Sequence, residues 1–216
     1  MRLLLATNNP GKVKEIKPIF TKAPARELIS LADLGLFFEP AETGDTFEAN
    51  AIQKATETLA FLRENGYDDI TVLADDSGLC IDAMDGEPGV DSANFMGRET
   101  PYEVRNAYII SQLENKTRDA KFMCVIACAY PNGEIATVTG AVHGEITHEP
   151  AGEGGFGYDP IFYVPDYGKT MAELTPEEKN AISHRGQALT RMIELLDKSS
   201  LVRQYGGKYE EPLGNT

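Results

Sequence analysis

Long apolar stretches are missing from this sequence of 216 residues. No stretch approaches the roughly 18 consecutive apolar residues that a transmembrane helix requires. The first apolar stretch, RLLLA at 2–6, is short and no cleavage-like sequence follows it, which indicates a strand and not a signal peptide. We therefore expect a cytoplasmic protein without a membrane partner.

Cysteine and histidine are also scarce, with three of each. Cys80, Cys124 and Cys128 lie in apolar stretches and form no CxxC pair. Free cysteine is among the most buried residue types, so we expect three buried structural thiols. The spacing of Cys124 and Cys128, with so few histidines elsewhere, does not favour a zinc site.

Two common phosphate-binding motifs are absent as well. A Walker A loop would need glycine at position 6 before the GK at 11–12, or at position 163 before the GKT at 168–170. The chain has Ala6 and Tyr163 instead. The pattern GxGxxG occurs only in part, in GFGYDP at 155–160, and does not lie between a first strand and its helix. These gaps exclude a P-loop enzyme and a Rossmann dinucleotide site.

Positive charge is in short supply, with 20 Lys and Arg against 34 Asp and Glu and a net charge of −14. Binding to a nucleic-acid polymer depends on Lys and Arg that replace phosphate counterions, so no such partner is expected. A single nucleotide remains compatible with this charge. A few local cations can hold one small anion, and clustered carboxylates can hold the metal that accompanies its phosphates.

Strand and helix patterns alternate along the chain without repeats or a low-complexity linker. With 42% apolar and 25% charged residues, the composition is that of a soluble globular protein. We predict a single α/β domain over 1–216, with an elongated mixed β-sheet and flanking helices bent into two lobes. The predicted strands are 2–6, 27–31, 71–74, 78–84, 120–130, 134–146 and 161–165; the predicted helices are 12–20, 47–63, 101–113 and 183–198; a polar tail is predicted at 204–216.

The turn ATNNPGK follows the first strand and opens a helix. The N–H groups of such a turn and of the helix N-terminus can bind an anion, and Lys12 adds positive charge. The alternative is an ordinary tight turn between a strand and a helix.

Asp75 and Asp76 follow the apolar strand TVLA, at the kind of strand end where α/β proteins bind ligands. Neighbouring side chains in a strand point to opposite faces, so both can reach one ligand only if the chain turns, which Gly78 would permit. Glu42, in the loop before the long helix, is a third candidate ligand. Hard cations such as Mg²⁺ prefer such oxygen ligands. The alternative is a solvated acidic turn.

A third group of candidates lies late in the chain. In GGFGYDP, Phe156 stands between glycines and could lie flat against a base. In EEKNAISHRG, Lys179, His184 and Arg185 offer hydrogen-bond donors at the start of the last helix. Taken alone, His184 is typical of a surface or capping residue, so the hypothesis depends on the combination.

Five motifs together resemble the inosine triphosphate pyrophosphatase family, whose members hydrolyse non-standard purine nucleoside triphosphates. They are TNNPGK, ETGDTFEANAIQKA, LADDSGL, EPAGEGGFGYDPIFYVP and KNAISHRGQAL, and the resemblance covers about residues 3 to 196. The family's usual T-G-N begins here as Thr7-Asn8-Asn9, and asparagine tolerates left-handed backbone better than most residues. The resemblance implies two lobes around a central nucleotide-binding cleft, a Mg²⁺ cofactor and a homodimer. It also implies hydrolysis of ITP, dITP or XTP to the monophosphate and pyrophosphate.

The resemblance also implies roles for individual residues. Asp76 is similar to the residue that accepts a proton from the attacking water, and Glu42 and Asp76, with Asp75 close by, resemble magnesium ligands. The residues that resemble triphosphate contacts are Thr7, Asn8, Asn9, Pro10, Gly11, Lys12 and Lys54. Those that resemble contacts to the base or another part of the substrate are Ser77, Phe156, Gly157, Tyr158, Asp159, Lys179, His184 and Arg185. Two other functions stay open: a regulator that binds a nucleotide without hydrolysing it, and a phosphatase that removes only the terminal phosphate.

Overall fold

The computed structural model describes residues 2–21 and 26–205, and its elements follow the predicted alternation. The strands are β1 (Arg2–Leu5), β2 (Glu27–Ser30), β3 (Thr71–Ile81), β4 (Asp119–Ala129), β5 (Ile135–Ile146), β6 (Phe162–Val164) and β7 (Lys169–Thr170). The helices are α1 (Pro10–Thr21), α2 (Phe47–Glu64), α3 (Tyr102–Gln112), α4 (Pro176–Ile182) and α5 (His184–Tyr205). Of the predicted tail at 204–216, residues 204 and 205 end α5 and the rest lies outside the described residues.

All of these strands form one mixed sheet in the order β2-β1-β3-β4-β5-β6-β7. β1 is parallel to both β2 and β3, whereas every later pair is antiparallel. β1 pairs with β3 only as far as Leu73, while β4 pairs with β3 from Val72 to Ile81. The carboxyl half of β3 therefore extends past the end of β1, and this step in the sheet creates the cleft described below.

The prediction that the paired aspartates stand at a turn between two strands is wrong. β3 runs without interruption through Asp75, Asp76 and Gly78, because ten consecutive residues pair with β4. Glycine is required at position 78 because other atoms approach it closely, and not because the chain turns there. A Cβ atom at this position would lie 2.3 Å from the carbonyl oxygen of Gly89 and 2.4 Å from Ser92 Oγ.

Helices cover both faces of the sheet. α2 packs on β3 and β4 through an apolar face of four buried side chains: Ala51, Ala55, Leu59 and Leu62. On the opposite face α5 packs against β4, β5, α1 and α4. A separate core fills the far end of the sheet, where α3 joins β3, β4 and β6. Burial of these apolar helix faces is favoured by the hydrophobic effect and holds each helix against the sheet.

Local sequence signals position several ends of these elements. Thr46 caps α2 by accepting the Ala49 N–H at 3.1 Å, and Thr175 and Glu178 form the capping box of α4. The Pro-Asn-Gly segment turns β4 into β5. The three cysteines are buried free thiols, which confirms that prediction. Within the described residues, no helix is long and apolar enough to cross a membrane.

Candidate active site

A cleft of about 620 Å³ lies where β3 extends beyond β1. Its walls come from the turn before α1, the loop before α2, β3, the segment between β3 and α3, the loop before β6, and helices α4 and α5. All the predicted site residues except Pro10 and Gly11 line it. Adjacent residues of one strand can both reach this cleft because it lies at the edge of β3, so side chains from either face border it.

The turn before α1 is closed by asparagine side chains. Asn9 Oδ1 accepts the N–H groups of Gly11 and Lys12 at 2.9 and 3.2 Å, so Asn9 caps the helix. These two N–H groups, which were expected to bind an anion, are thus satisfied within the protein. Asn8 is not left-handed, and its Nδ2 donates to the carbonyl of Phe38 at 3.2 Å. The turn therefore offers a ligand the positive end of the helix dipole and the Lys12 ammonium.

Asp75 anchors one face of β3. Its Oδ2 contacts Lys12 Nζ at 3.0 Å and Arg185 Nε at 3.3 Å, and its side chain is 1% exposed. Burial alone would raise the pKa of Asp75, but Lys12, Arg185 and Lys54 outweigh it and hold that pKa well below its usual range. Oδ1 is buried and has no hydrogen-bond partner among the described residues. Asp75 is therefore a permanent anion that positions cations.

Asp76 faces α2 and belongs to a different cluster. Lys54 Nζ lies 2.8 Å from both Asp76 Oδ1 and Glu42 Oε1, and Asn50 Nδ2 donates to Asp76 Oδ2 at 3.2 Å. Burial raises the pKa of Asp76 more than Lys54 lowers it. The pKa of Lys54 is raised despite burial because Asp76, Asp75 and Glu42 surround it. Asp76 is thus the better proton acceptor of the two adjacent aspartates.

The carboxylate oxygens around Asp76 are suitable ligands for a magnesium ion. The Lys54 ammonium, a cation, already joins the carboxylates of Glu42 and Asp76, and Mg²⁺ characteristically takes one or two carboxylates with water and substrate phosphate. Within the described residues, no group of three or more metal-binding side chains is already assembled.

The other end of the cleft contains an aromatic ring beside two cations. Lys179 Nζ lies 5.2 Å and Arg185 Cζ 5.7 Å from the centre of the Phe156 ring. Asp159 Oδ2 accepts the Phe156 N–H at 2.7 Å and Lys179 Nζ at 2.5 Å, which fixes the loop that carries the ring. A flat ring next to fixed donors is an arrangement suited to a heterocyclic base.

Glu15 on α1 connects both cations and was missed by sequence reasoning. Its carboxylate accepts Lys179 Nζ at 2.6 Å and also pairs with Arg185 Nη1. Arg185 further donates to Ser77 Oγ at 2.8 Å. The clue available in the sequence was the position of Glu15 one turn after Lys12 on the same helix. Glu15 therefore connects the end of the cleft that contains Phe156 with α1, the helix that carries Lys12.

His184 and Tyr158 contribute buried rings. His184 stacks on Phe122 with ring centres 4.8 Å apart. Burial, with Arg185 and Lys179 nearby, holds the pKa of His184 well below its usual value, so the imidazole is neutral. Burial also raises the pKa of Tyr158 to about 12, and its hydroxyl donates to the carbonyl of Ser92 at 2.8 Å. Tyr158 thus supports the cleft wall that Ser92 belongs to.

Arg105 of α3, another residue that the sequence did not reveal, organises this wall. The residue is 1% exposed, and its guanidinium donates to five backbone carbonyls of the segment between β3 and α3. The acceptors are Ser92, Ala93, Gly97, Arg98 and Thr100. One buried side chain therefore fixes the segment that forms this wall of the cleft.

Comparison with known proteins agrees with the motifs. The Ham1 family model matches residues 3–195. A dITP/XTP pyrophosphatase of Desulforamulus reducens is 48% identical over 201 residues, which cover 92% of this chain and 96% of the relative. The dITP/XTP pyrophosphatase of Bacillus subtilis is 46% identical over 197 residues, covering 90% and 96%. The solved Ham1 protein of Staphylococcus aureus is 41% identical with a TM-score of 0.80, covering 92% of this chain and 100% of that one. The resemblance and the mixed-sheet fold predicted from the sequence are confirmed, and the chain belongs to the Ham1 family.

Proposed function

We propose that this protein hydrolyses non-canonical purine nucleoside triphosphates, such as dITP, XTP and ITP, to the monophosphate and pyrophosphate. One observation carries the proposal: a single cleft has a carboxylate and lysine cluster at one end and an aromatic ring beside fixed donors at the other. Relatives that share nearly half of the sequence and carry the name dITP/XTP pyrophosphatase support the same activity.

Each end of the cleft has a distinct task in this reaction. Lys54 and Lys12 lie where they can neutralise phosphate oxygens. Asp76, with its raised pKa, is the proposed acceptor of the proton lost by the attacking water. A magnesium ion bound by Glu42 and Asp76 would supply charge neutralisation for the pyrophosphate leaving group. Phe156 and the groups around it hold the base, so the phosphates lie in a fixed position relative to Asp76.

The products of the reaction test this proposal. Water should attack the α-phosphorus, and the bond to the bridging oxygen should break, so the expected products are the nucleoside monophosphate and pyrophosphate. The measurement is chromatographic resolution of all nucleotide and phosphate products from dITP and XTP, with MgCl₂ and with excess EDTA. Diphosphate and orthophosphate as first products would indicate a terminal phosphatase, and binding without turnover would indicate a regulator.

The base selectivity should follow hydrogen-bonding chemistry. Hypoxanthine and xanthine carry an acceptor at C6, whereas adenine carries a donor. Lys179 and Arg185 have only donors, and the neutral His184 has one. Sites built on such pairing reject a mismatched analogue by up to about 10⁴-fold, because a buried group is left unpaired. We expect kcat/KM for dITP and XTP to exceed that for ATP by about this factor, and comparable values would rule out selection by these donors.

Three further features of the proposed function stay predictions. The magnesium requirement is inferred from the donor set around Asp76. A homodimer is expected from the family resemblance, and a cytoplasmic location stays an expectation from the sequence.

A further inference from the structure

Five cationic side chains line the described part of the cleft, and one differs from the others in its surroundings. Four are almost fully buried and fixed by carboxylates, with exposed side-chain fractions of 15% for Lys12, 6% for Lys54, 8% for Lys179 and 3% for Arg185. Arg98 is 74% exposed. It is therefore the cation of this set that can change partners without opening a buried ion pair.

The backbone at Arg98 is fixed even though its side chain is exposed. Arg105 donates to the carbonyl oxygens of Gly97 at 2.9 Å and of Arg98 at 3.2 Å. The guanidinium of Arg105 is buried, so these bonds are protected from water. Arg98 thus has a fixed backbone and a long side chain that can reorient at the mouth of the cleft.

The present partner of Arg98 lies on the opposite side of that mouth. Its Nη2 contacts Glu39 Oε1 at 2.8 Å, and Glu39 belongs to the loop that leads to Glu42 and α2. The pKa of Arg98 is raised first by Glu39 and then by Glu99 and Glu42. Because both members of the pair are exposed, the pair contributes little to stability and is weakened by salt. A stronger anion can therefore displace Glu39.

We propose that Arg98 is a phosphate-binding residue that exchanges Glu39 for the outer phosphates of a bound nucleoside triphosphate, with Glu39 as the competing internal anion. This inference deepens the proposed function and rests on it. Arg98 lines the cleft and contacts Glu39, three residues before Glu42, whose carboxylate pairs with Lys54 at the phosphate end. A triphosphate carries several charges where Glu39 carries one, and a planar guanidinium can bind two phosphate oxygens at once.

Opposite effects of two substitutions test the exchange. Dissociation constants for dITP would be measured calorimetrically in EDTA, where a metal-dependent enzyme does not turn over, for wild type, Arg98→Gln, Glu39→Gln and the double variant. We expect Arg98→Gln to weaken binding about 10-fold, since a hydrogen bond between charged groups is lost. Glu39→Gln should tighten binding about 2- to 5-fold by removing the competitor. The double variant should bind as weakly as Arg98→Gln alone.

The control is Lys169→Gln, which removes an exposed cation that pairs with Glu178 away from the cleft and should leave dITP binding unchanged. If Arg98→Gln binds dITP like wild type, or if Glu39→Gln tightens binding equally when Arg98 is absent, the exchange is wrong. Either result would leave wild-type hydrolysis, and hence the proposed function, intact. A wild type that neither binds nor hydrolyses dITP would overturn both.

Discussion

Asp76→Asn is expected to lower kcat by at least about 100-fold while the protein stays folded, in line with the usual contribution of a general base. The amide keeps the size of the side chain and can still accept from Lys54, but it cannot take a proton from water. It also removes one of the two carboxylates that Lys54 joins. The measurement is steady-state hydrolysis of dITP, together with the circular dichroism spectrum and thermal midpoint of each variant.

Asp68→Asn provides the matched control for this prediction. It is the same substitution at an exposed aspartate that does not line the cleft, so turnover should be unchanged. An Asp76→Asn variant with near wild-type turnover would move the proton acceptor to another group, with Asp75 the first to test. The lowered pKa of Asp75 makes it a poor base, so we expect Asp75 variants to lose substrate binding and stability together.

Arg185→Ala is expected to lower the free energy of unfolding by about 3–5 kcal/mol, the usual cost of removing one partner from a buried ion pair. The side chain is 3% exposed and contacts both Asp75 and Glu15, so its loss leaves a buried and a partly buried carboxylate without this partner. Urea unfolding at neutral pH measures the change. Arg98→Ala is the control, since removal of an exposed arginine should give no measurable shift.

A second substitution separates charge from packing at Arg185. In the double variant Arg185→Ala and Glu15→Gln, a neutral amide replaces one of the two carboxylates that have lost the arginine. Part of the lost free energy of unfolding should therefore return. No recovery would show that the guanidinium acts through packing. Activity of Arg185→Ala should fall strongly for dITP and little for ATP. This comparison is to be made as a ratio of kcat/KM values, because partial unfolding lowers both equally.

Sequence reasoning located those parts of the site whose signals are local. The aspartate pair after TVLA, the glycine-flanked Phe156 and the donors between 179 and 185 each depend on a few neighbouring residues, and the family resemblance placed them in one site. The structure brings the predicted phosphate, carboxylate and base residues to one cleft, with Pro10 and Gly11 behind its surface.

Features that depend on distant partners were not predictable in this way. The continuity of β3 through Asp75 and Asp76 results from pairing with β4. Aspartate is depleted in strands, so two adjacent aspartates do not indicate a continuous strand in the sequence. Glu15 and Arg105 look like ordinary helix-surface residues in the sequence. Glu15 acts through Lys179, and Arg105 acts through the backbone carbonyls at 92–100. These partners come close only when α4 and α3 pack in the folded protein.

The ion pairs of the cleft also connect remote parts of the chain. Lys12 and Asp75 are 63 residues apart, Arg185 and Asp75 are 110 apart, and Lys179 and Glu15 are 164 apart. Closing such long loops costs chain entropy before any contact forms, and contacts of this range are associated with slow folding. No segment shorter than residues 12–185 contains all of these partners, so the charge arrangement of the cleft has no local precursor. Some of the longest loops that this chain must close therefore also assemble its ligand site.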